Sequence, residues 1–505
     1  MVSNVKPGYL RELLPTSAPE TGEKWEDIQK DIEAKIQPGL THWQSPNFMA
    51  WFPASSTYPG MLGELYSAAF TAPAFNWICS PAVTELETIV LDWLAKVLAL
   101  PECFLSHGEG GGVIQGSASE AMVTVMVAAR IRYLDHATAH LPGDEKEAKR
   151  AEIAGRLIAL SSEQSHSSTA KGAIIAGVRY KAIHTELADD LALTGAGLQA
   201  ALDECKAKNL LPFFLTTNLG ATPTCAVDHF GEIADVLKAY PEVWVHVDAA
   251  YAGAALVCPE YQHLTPPIAH FDSFNMNMHK WLLTNFDASP LFIRRRRDLT
   301  DALSITPSYL KNEASESGLV TDYRDWQIPL GRRFRSLKIW FVMRTYGVEG
   351  MRAHIRRHIK LGEMFAGLVR ERKDLFKIVA PPAFALTVIQ VVPRGKRSPK
   401  LIEEADGKTV DGITDGVVEH ATDLNGMESG GLEDANRLTK EVYELVNSRG
   451  EIFLTSGAVN GIYAIRVVSA NPKADEKHVR NAFEVLRKTA EEVLGREEKG
   501  EQRRA

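Results

Sequence analysis

A lysine placed to act as an amine nucleophile stands in SFNMNMHKW (Ser273–Trp281), between His279 and Trp281. Its neighbours are largely apolar, and burial there disfavours the ammonium and leaves an amine able to attack a carbonyl. Asp248 lies 32 residues earlier, at the end of the apolar run WVHVD and just before the small residues Ala249 and Ala250. A carboxylate so placed, with alanines that let a flat ligand approach, can pair with a buried cationic nitrogen. Gln115-Gly-Ser-Ala-Ser-Glu120 sets Ser117, Ala118 and Ser119 at a helix start, where free backbone N–H groups and two hydroxyls suit a phosphate. His166 follows another apolar run in SSEQSHSS (Ser161–Ser168) and offers a flat ring.

Each feature alone has a plainer reading. Ser117-x-x-Glu120 is a capping box, Asp248 caps a turn, Lys280 snorkels, and His166 is a structural histidine. Together, a phosphate cradle, a carboxylate for a ring nitrogen, an amine for an aldehyde and a flat imidazole match one cofactor, pyridoxal 5′-phosphate. No Walker A sequence, GxGxxG fingerprint or zinc spacing competes, and no metal is expected.

The elements that must position these residues follow from the pattern of apolar runs. Candidate strands are Leu157–Leu160, Phe213–Thr217, Trp244–Val247, Ser273–Met276 and Leu291–Arg294, with helical stretches such as Gly197–Lys208 and Phe230–Ala239 between some of them. The alternation predicts an α/β fold with a mostly parallel central sheet, and the four features then sit on loops after strands, where such folds bind ligands. Ahead of them, Val83, Leu86, Ile89, Val90, Trp93, Leu94, Val97 and Leu98 step at helical spacing, and Thr84-x-x-Glu87 reads as a capping box. The Gly-rich stretch before Gln115 reads as a loop.

A small α+β unit follows from near Ser336, with strand-like Leu386–Val392 and Ile462–Val468 and a C-terminal helix His478–Leu494. Within it, Arg394–Asp434 has seven glycines, ten acidic and five basic residues and no Phe, Tyr or Trp, which predicts a loop or disordered insertion rather than a divalent-ion site. At the other end, His42–Gly60 carries Trp43, Phe48, Trp51, Phe52 and Tyr58 among prolines. Proline forbids a long helix there, and so many rings predict an extended segment that covers a pocket, a partner subunit or both.

The whole chain of 505 residues carries a net charge of −8, with 45% hydrophobic and 24% charged residues. This balance disfavours nucleic acid or an anionic membrane as the main partner. Five dispersed cysteines without CxxC fit reduced thiols. No secretory h-region and no membrane-length apolar run is present, so a cytoplasmic location is expected.

Long stretches carry a resemblance: THWQSPNFMAWFP, SPAVTELE, GEGGGVIQGSASEA, SSEQSHSS, HVDAAYAGAALVCPE, NMHKWLL, YLKN and SGLVTDYRDWQIPLGRRFRSLKIWFV. On these the chain resembles the group II pyridoxal-phosphate decarboxylases, specifically the aromatic-L-amino-acid decarboxylases. The resemblance implies the PLP-dependent transferase-like fold (fold type I). It implies Lys280 as the Schiff-base lysine, Asp248 on the pyridine nitrogen and His166 stacked on the ring. Ala250 would lie on the opposite face. Ser117, Ala118, Ser119 and Asn277 would hold the phosphate, with Thr222 on the ring-oxygen side and His279 beside the lysine. Tyr309 of YLKN would be the proton donor on a mobile loop. Trp43, Trp51, Phe52, Pro53 and Phe75 would form the substrate wall, and Gly331 would leave room for a large ring.

The implied activity is decarboxylation of Trp, Tyr, Phe, Dopa or 5-hydroxytryptophan to arylalkylamines. The implied assembly is a homodimer with its sites at the interface. Residues 1–57 would be a dimerisation segment, 58–337 the cofactor domain and 338–505 the small domain with its insertion near 394–434. The alternatives are an aromatic acetaldehyde synthase or a decarboxylase of another amino acid. A non-enzymatic PLP-binding dimer is disfavoured by Lys280, Asp248, His166 and Tyr309. Two departures stand out: Met278 where the family usually has proline, and Ala385 where ring preference is influenced.

Overall fold

The computed structural model describes residues 2–305, 310, 312–316, 320–393 and 429–502. Seven strands form the central sheet: β1 (Gly111–Gln115), β2 (Leu157–Ser162), β3 (Arg179–Ile183), β4 (Leu211–Asn218), β5 (Trp244–Asp248), β6 (Ser273–Asn275) and β7 (Ser289–Ile293). Their spatial order is β1-β7-β6-β5-β4-β2-β3. All neighbours are parallel except β7, which runs antiparallel to β1 and to β6. β1, β2, β5 and β7 are buried along their whole length, as a sheet covered on both faces requires. β3 is an edge strand, and its outward Arg179 and Lys181 guard the open backbone.

β1 differs from the expected loop. Its glycines answer to crowding rather than to flexibility. A Cβ on Gly110 would run into the Cys103 carbonyl, and one on Gly112 would stand 3.1 Å from Leu91 and Phe292. At Gly110 and Gly112 the chain can therefore pass its neighbours only without a side chain.

That helix also revises the Thr84 reading. It starts at Pro81 after Ser80, and proline suits the first turn, so Thr84 and Glu87 fall inside it. Glu87 is fully buried. Its Oε1 accepts from the Ile114 N–H (2.8 Å) and from Arg332 Nη2 (2.7 Å), and its Oε2 accepts from Arg332 Nη1 (2.9 Å). The fork-shaped pair staples β1 to the stretch around Arg332, whose guanidinium also lies 4.6 Å from the Tyr323 ring centre.

The second sheet has the order β10-β11-β9-β8 and is antiparallel throughout, with β8 (Phe376–Ala383), β9 (Leu386–Val391), β10 (Thr455–Val459) and β11 (Ile462–Val468). Helices Ser429–Arg449 and Glu476–Gln502 cover it. The first of these begins inside the stretch expected to be loop, so residues 429–434 are helical; 394–428 lie outside the described residues. The helix Arg335–Arg370 joins the two sheets, broken at Gly347, whose φ of +62° interrupts the helical path. It crosses the expected 337/338 boundary, and one apolar core runs from Leu215 and Val247 to Phe384 and Ile462 without a seam.

Removing half of the buried Glu87–Arg332 pair leaves an uncompensated charge. Glu87→Gln is expected to cost about 3–5 kcal/mol, read as a lower denaturant midpoint for the loss of tertiary fluorescence.

Candidate active site

Asp248 ends β5 and is 8% exposed. Its Oδ1 accepts the Ala250 N–H (3.0 Å), which fixes the carboxylate against the turn, and its Oδ2 has no hydrogen bond from the described protein. Across the sheet, the Asn277 N–H donates to the Ala250 carbonyl (2.9 Å). This places the lysine segment directly beside the end of β5. Lys280 then lies on the four-residue helix Met278–Trp281. Burial, with help from the Arg466 charge, lowers its amine below the usual lysine range, opposed by Asp248 and Cys225. The Nζ stands 5.5 Å from the centre of the Phe52 ring.

The backbone around Lys280 is held by the N-terminal segment. Ser55 N–H donates to the His279 carbonyl (2.9 Å), Ser55 Oγ to the Lys280 carbonyl (3.0 Å) and Thr57 Oγ1 to the Leu283 carbonyl (2.8 Å). Phe52 is backed by Tyr251, with ring centres 3.8 Å apart, and Tyr251 by Trp281 at 4.6 Å. Tyr251 is anchored through its hydroxyl to the Phe384 carbonyl (2.8 Å).

His279 is buried, and burial with the Lys280 charge lowers its pKa to about 4. A neutral ring accepts at Nδ1 from the Ala288 N–H (2.9 Å). His166 is exposed along one side. Crowding of its ring lowers its pKa, with Lys280 pushing the same way and Asp248 opposing, so the ring is neutral near pH 7 and within the field of both. Its Nδ1 accepts from the Ser168 N–H (3.1 Å).

The expected cradle opens the helix Ala118–Thr138, and the plain reading of Ser117 also holds: its hydroxyl caps Glu120 N–H (3.1 Å) while Glu120 Oε2 accepts from Gly116 N–H (2.9 Å). Ala118 and Ser119 N–H remain uncommitted within the described protein. The β1–β7 register sets Gln115 opposite Ser289, whose hydroxyl donates to Asn277 Oδ1 (2.7 Å) and leaves Nδ2 as a donor. One strand pair therefore brings the two expected halves of the cradle together.

The structure thus gathers Lys280, Asp248, Ala250, His166, Asn277, His279 and Phe52, with Ser117–Ser119 at the neighbouring strand end. Thr222 lies close, its carbonyl accepting from Arg466 Nη2 (2.7 Å). Pro53 is buried beside Phe52, while Trp43 and Trp51 stack on one another (5.4 Å) and pack with Phe48 and Phe453 at a partly open rim. Within one chain, Phe75 makes no hydrogen bond or ring contact to Lys280 or Phe52. Its carbonyl holds Arg324 N–H (3.1 Å) instead. Gly331 is exposed, with nothing within 4 Å of where a Cβ would sit. Tyr309 lies outside the described residues.

Arg466 was not singled out by the sequence. It is 9% exposed, bonded to the Thr222 and Pro223 carbonyls, and its guanidinium lies 5.3 Å from the Phe52 ring centre. The available signal was a lone arginine inside the apolar strand IYAIRVV. Tyr251, Ser55 and Ser289 were missed as well, since a hydroxyl in a motif does not reveal which backbone it will meet.

The pyridoxal-dependent decarboxylase conserved domain matches residues 7–392. The chain belongs to the pyridoxal-dependent decarboxylase family. Aromatic-L-amino-acid decarboxylase of Rattus norvegicus is 40% identical over 97% of this chain and 92% of its own length. Phenylacetaldehyde synthase of Arabidopsis thaliana is 41% identical over 98% and 92%. Among solved structures, Oryza sativa TDC with PLP and tryptamine superimposes with a TM-score of 0.86 at 36% identity, covering 98% of this chain and 93% of that one. The fold is that of the PLP decarboxylases, and the cofactor is pyridoxal 5′-phosphate. The residues of this chain fit it: an open carboxylate oxygen at Asp248, unspent donors on Ala118, Ser119 and Asn277, and a depressed amine at Lys280.

A depressed amine titrates at lower pH than a surface lysine, so a larger fraction is neutral at any given pH. In cofactor-free protein at pH 8, a small aldehyde with borohydride is expected to label Lys280 ahead of surface lysines; peptide mapping that finds uniform labelling would count against the site.

Proposed function

We propose that the protein decarboxylates aromatic L-amino acids to arylalkylamines and CO2. The observation that carries this reading is the wall facing the Lys280 amine: the Phe52 ring, backed in a column by Tyr251 and Trp281. A flat apolar face beside the reacting amine suits an aromatic side chain in the substrate. The names of the relatives, an aromatic-L-amino-acid decarboxylase and a phenylacetaldehyde synthase, support the same substrate class.

When bound, pyridoxal 5′-phosphate supplies an electron sink for the pair released as CO2 leaves. The chain's own residues do the rest. Lys280 would hold the cofactor through its buried amine. Asp248 Oδ2 would accept a hydrogen bond from the ring nitrogen and, as an anion, would keep that nitrogen protonated, the state in which the ring draws electrons. Ala118, Ser119 and Asn277 fix the phosphate. His166 would pack against the ring of the cofactor, and Ala250 is small enough to permit contact with it. Tyr309 delivers a proton to the substrate Cα as general acid. A tyrosine there, with His166, favours plain decarboxylation over oxidation to aldehyde.

The working unit we propose is a homodimer. The helix Tyr58–Phe70 buries only Gly60 and Gly63 and leaves Tyr58, Met61, Leu62, Leu65, Tyr66 and Phe70 exposed. Such a face in water calls for a partner, and a second copy could bring Phe75 and Gly331 to the neighbouring site.

Supplying Trp, Tyr, Phe, Dopa and His separately is expected to yield amine and CO2 in equal amounts from the aromatic substrates and little peroxide. Tyr309→Phe should turn the product toward aldehyde and peroxide; aldehyde as the main product of the unaltered protein would reject the decarboxylase reading. Sedimentation should give twice the 55.6 kDa chain mass, and Leu65→Asp should shift it toward one chain.

A further inference from the structure

A carboxylate with no cation bonded to it among the described residues is lodged behind the site. Asp228 is 3% exposed. Its Oδ1 accepts the Leu193 N–H (2.9 Å), and its Oδ2 accepts Asn218 N–H (2.6 Å), Asn218 Nδ2 (2.9 Å) and Thr217 Oγ1 (3.2 Å). Asn218 Nδ2 spends its other hydrogen on Ser165 Oγ (2.8 Å), and Ser165 immediately precedes His166. Asn218 is also the register partner of Asp248, and the next N–H, that of Leu219, donates to the Asp248 carbonyl (3.0 Å). One buried anion thus holds an asparagine that bonds the hydroxyl of the residue before His166 and stands in register with Asp248, whose carbonyl takes the next N–H along.

We infer that Asp228 is a positioning residue which, through Asn218 and Ser165, sets His166 and Asp248 against the cofactor ring and makes cofactor retention weaken on mild acidification. The inference rests on the roles given to His166 and Asp248 above. A protonated acid is a poorer acceptor, and it would bring an O–H into a pocket already filled by four donors. Burial raises the Asp228 pKa to about 6, against the lowering effect of its bonds to Leu193, Asn218 and Thr217. Among the described residues no charged group bonds to it. His229 and Glu232 pair with each other (2.9 Å), Asp189 and Asp190 precede Leu193, and neither they nor Asp248 or His166 bonds to the Asp228 carboxylate.

The linkage sign separates this effect from general acid unfolding. A carboxyl whose folded pKa of about 6 exceeds the ordinary 3.8 stabilises the fold when protonated, fully below 3.8, and loses that contribution as pH rises through 6. Acidification from pH 7.5 to 5.5 therefore loosens the cofactor site through Asp228 without destabilising the fold through it.

The test is the visible circular dichroism of bound cofactor and its dissociation constant across pH 5.5–7.5, with borohydride fixation locating the attachment. The wild-type constant is expected to rise about tenfold on acidification, the loss carried by one charge-assisted hydrogen bond. Asp228→Asn should bind about tenfold more weakly already at pH 7.5 and show no step near pH 6. Ser165→Ala, which leaves the Asp228–Asn218 contact intact, should weaken the dichroism and binding but keep the step. The proposal is overturned if Asp228→Asn retains wild-type affinity and the same step, or, should that variant not fold, if Ser165→Ala leaves both signals unchanged. Fixation at a residue other than Lys280 would overturn the site assignment itself, and the relay with it.

Discussion

A lysine amine must be buried enough to shed its proton and open enough to reach an aldehyde. The four-residue helix Met278–Trp281 is too short to fix Lys280 by its own hydrogen bonds. The position is imposed from outside: Ser55 holds the carbonyls of His279 and Lys280, Ala288 orients the His279 ring, and Trp281 Nε1 donates to His358 (3.0 Å). Phe52 then meets the side chain from the front. The N-terminal segment is thereby part of the site, since its prolines keep it extended across both sheets, from Met49 on Phe453 and Val468 to Thr57 on Leu283.

The charges around this amine are arranged by strand ends. β5 delivers Asp248, β4 delivers Asn218 beside it, and β1 delivers the helix whose first N–H groups are left unspent within the described protein. The ion pairs farther out keep these ends in register. Asp287 binds Arg335 through both oxygens (3.2 and 3.0 Å) and also takes Arg333 (3.1 Å). Asp287 sits between Phe286 and Ala288, both of which touch His279, so a fixed carboxylate there steadies the wall behind the lysine. Arg335 lies near the backbone of Gly116, which couples the same cluster to the cradle.

Much of this was legible in the sequence, for identifiable reasons. The strands Trp244–Asp248 and Ile462–Val468 announced themselves as short apolar runs of strand length, and Lys280, Asp248 and His166 as polar residues misplaced at apolar borders. β1 was hidden because glycine carries no pattern, and β8 because the prolines in FKIVAPPA blur a strand. Glu87 was misread because Thr84 and Pro81 offer competing starts for one helix, and only the buried Arg332 decides between them.

The sequence by itself determined the chemistry: which residue types were present, in what order, and hence the cofactor they could serve. It did so because nucleophile, carboxylate and cradle each require particular atoms and a strand-to-loop setting that local pattern reveals. Only the tertiary structure decided that Arg466 from the small sheet reaches Phe52, that Asp228 stands behind Asn218, and that the Phe75 carbonyl holds Arg324 while Gly331 has nothing within 4 Å of where a Cβ would sit. Those relations join residues from ten to more than four hundred positions apart. They depend on strand order and crossing geometry, which no local spacing encodes.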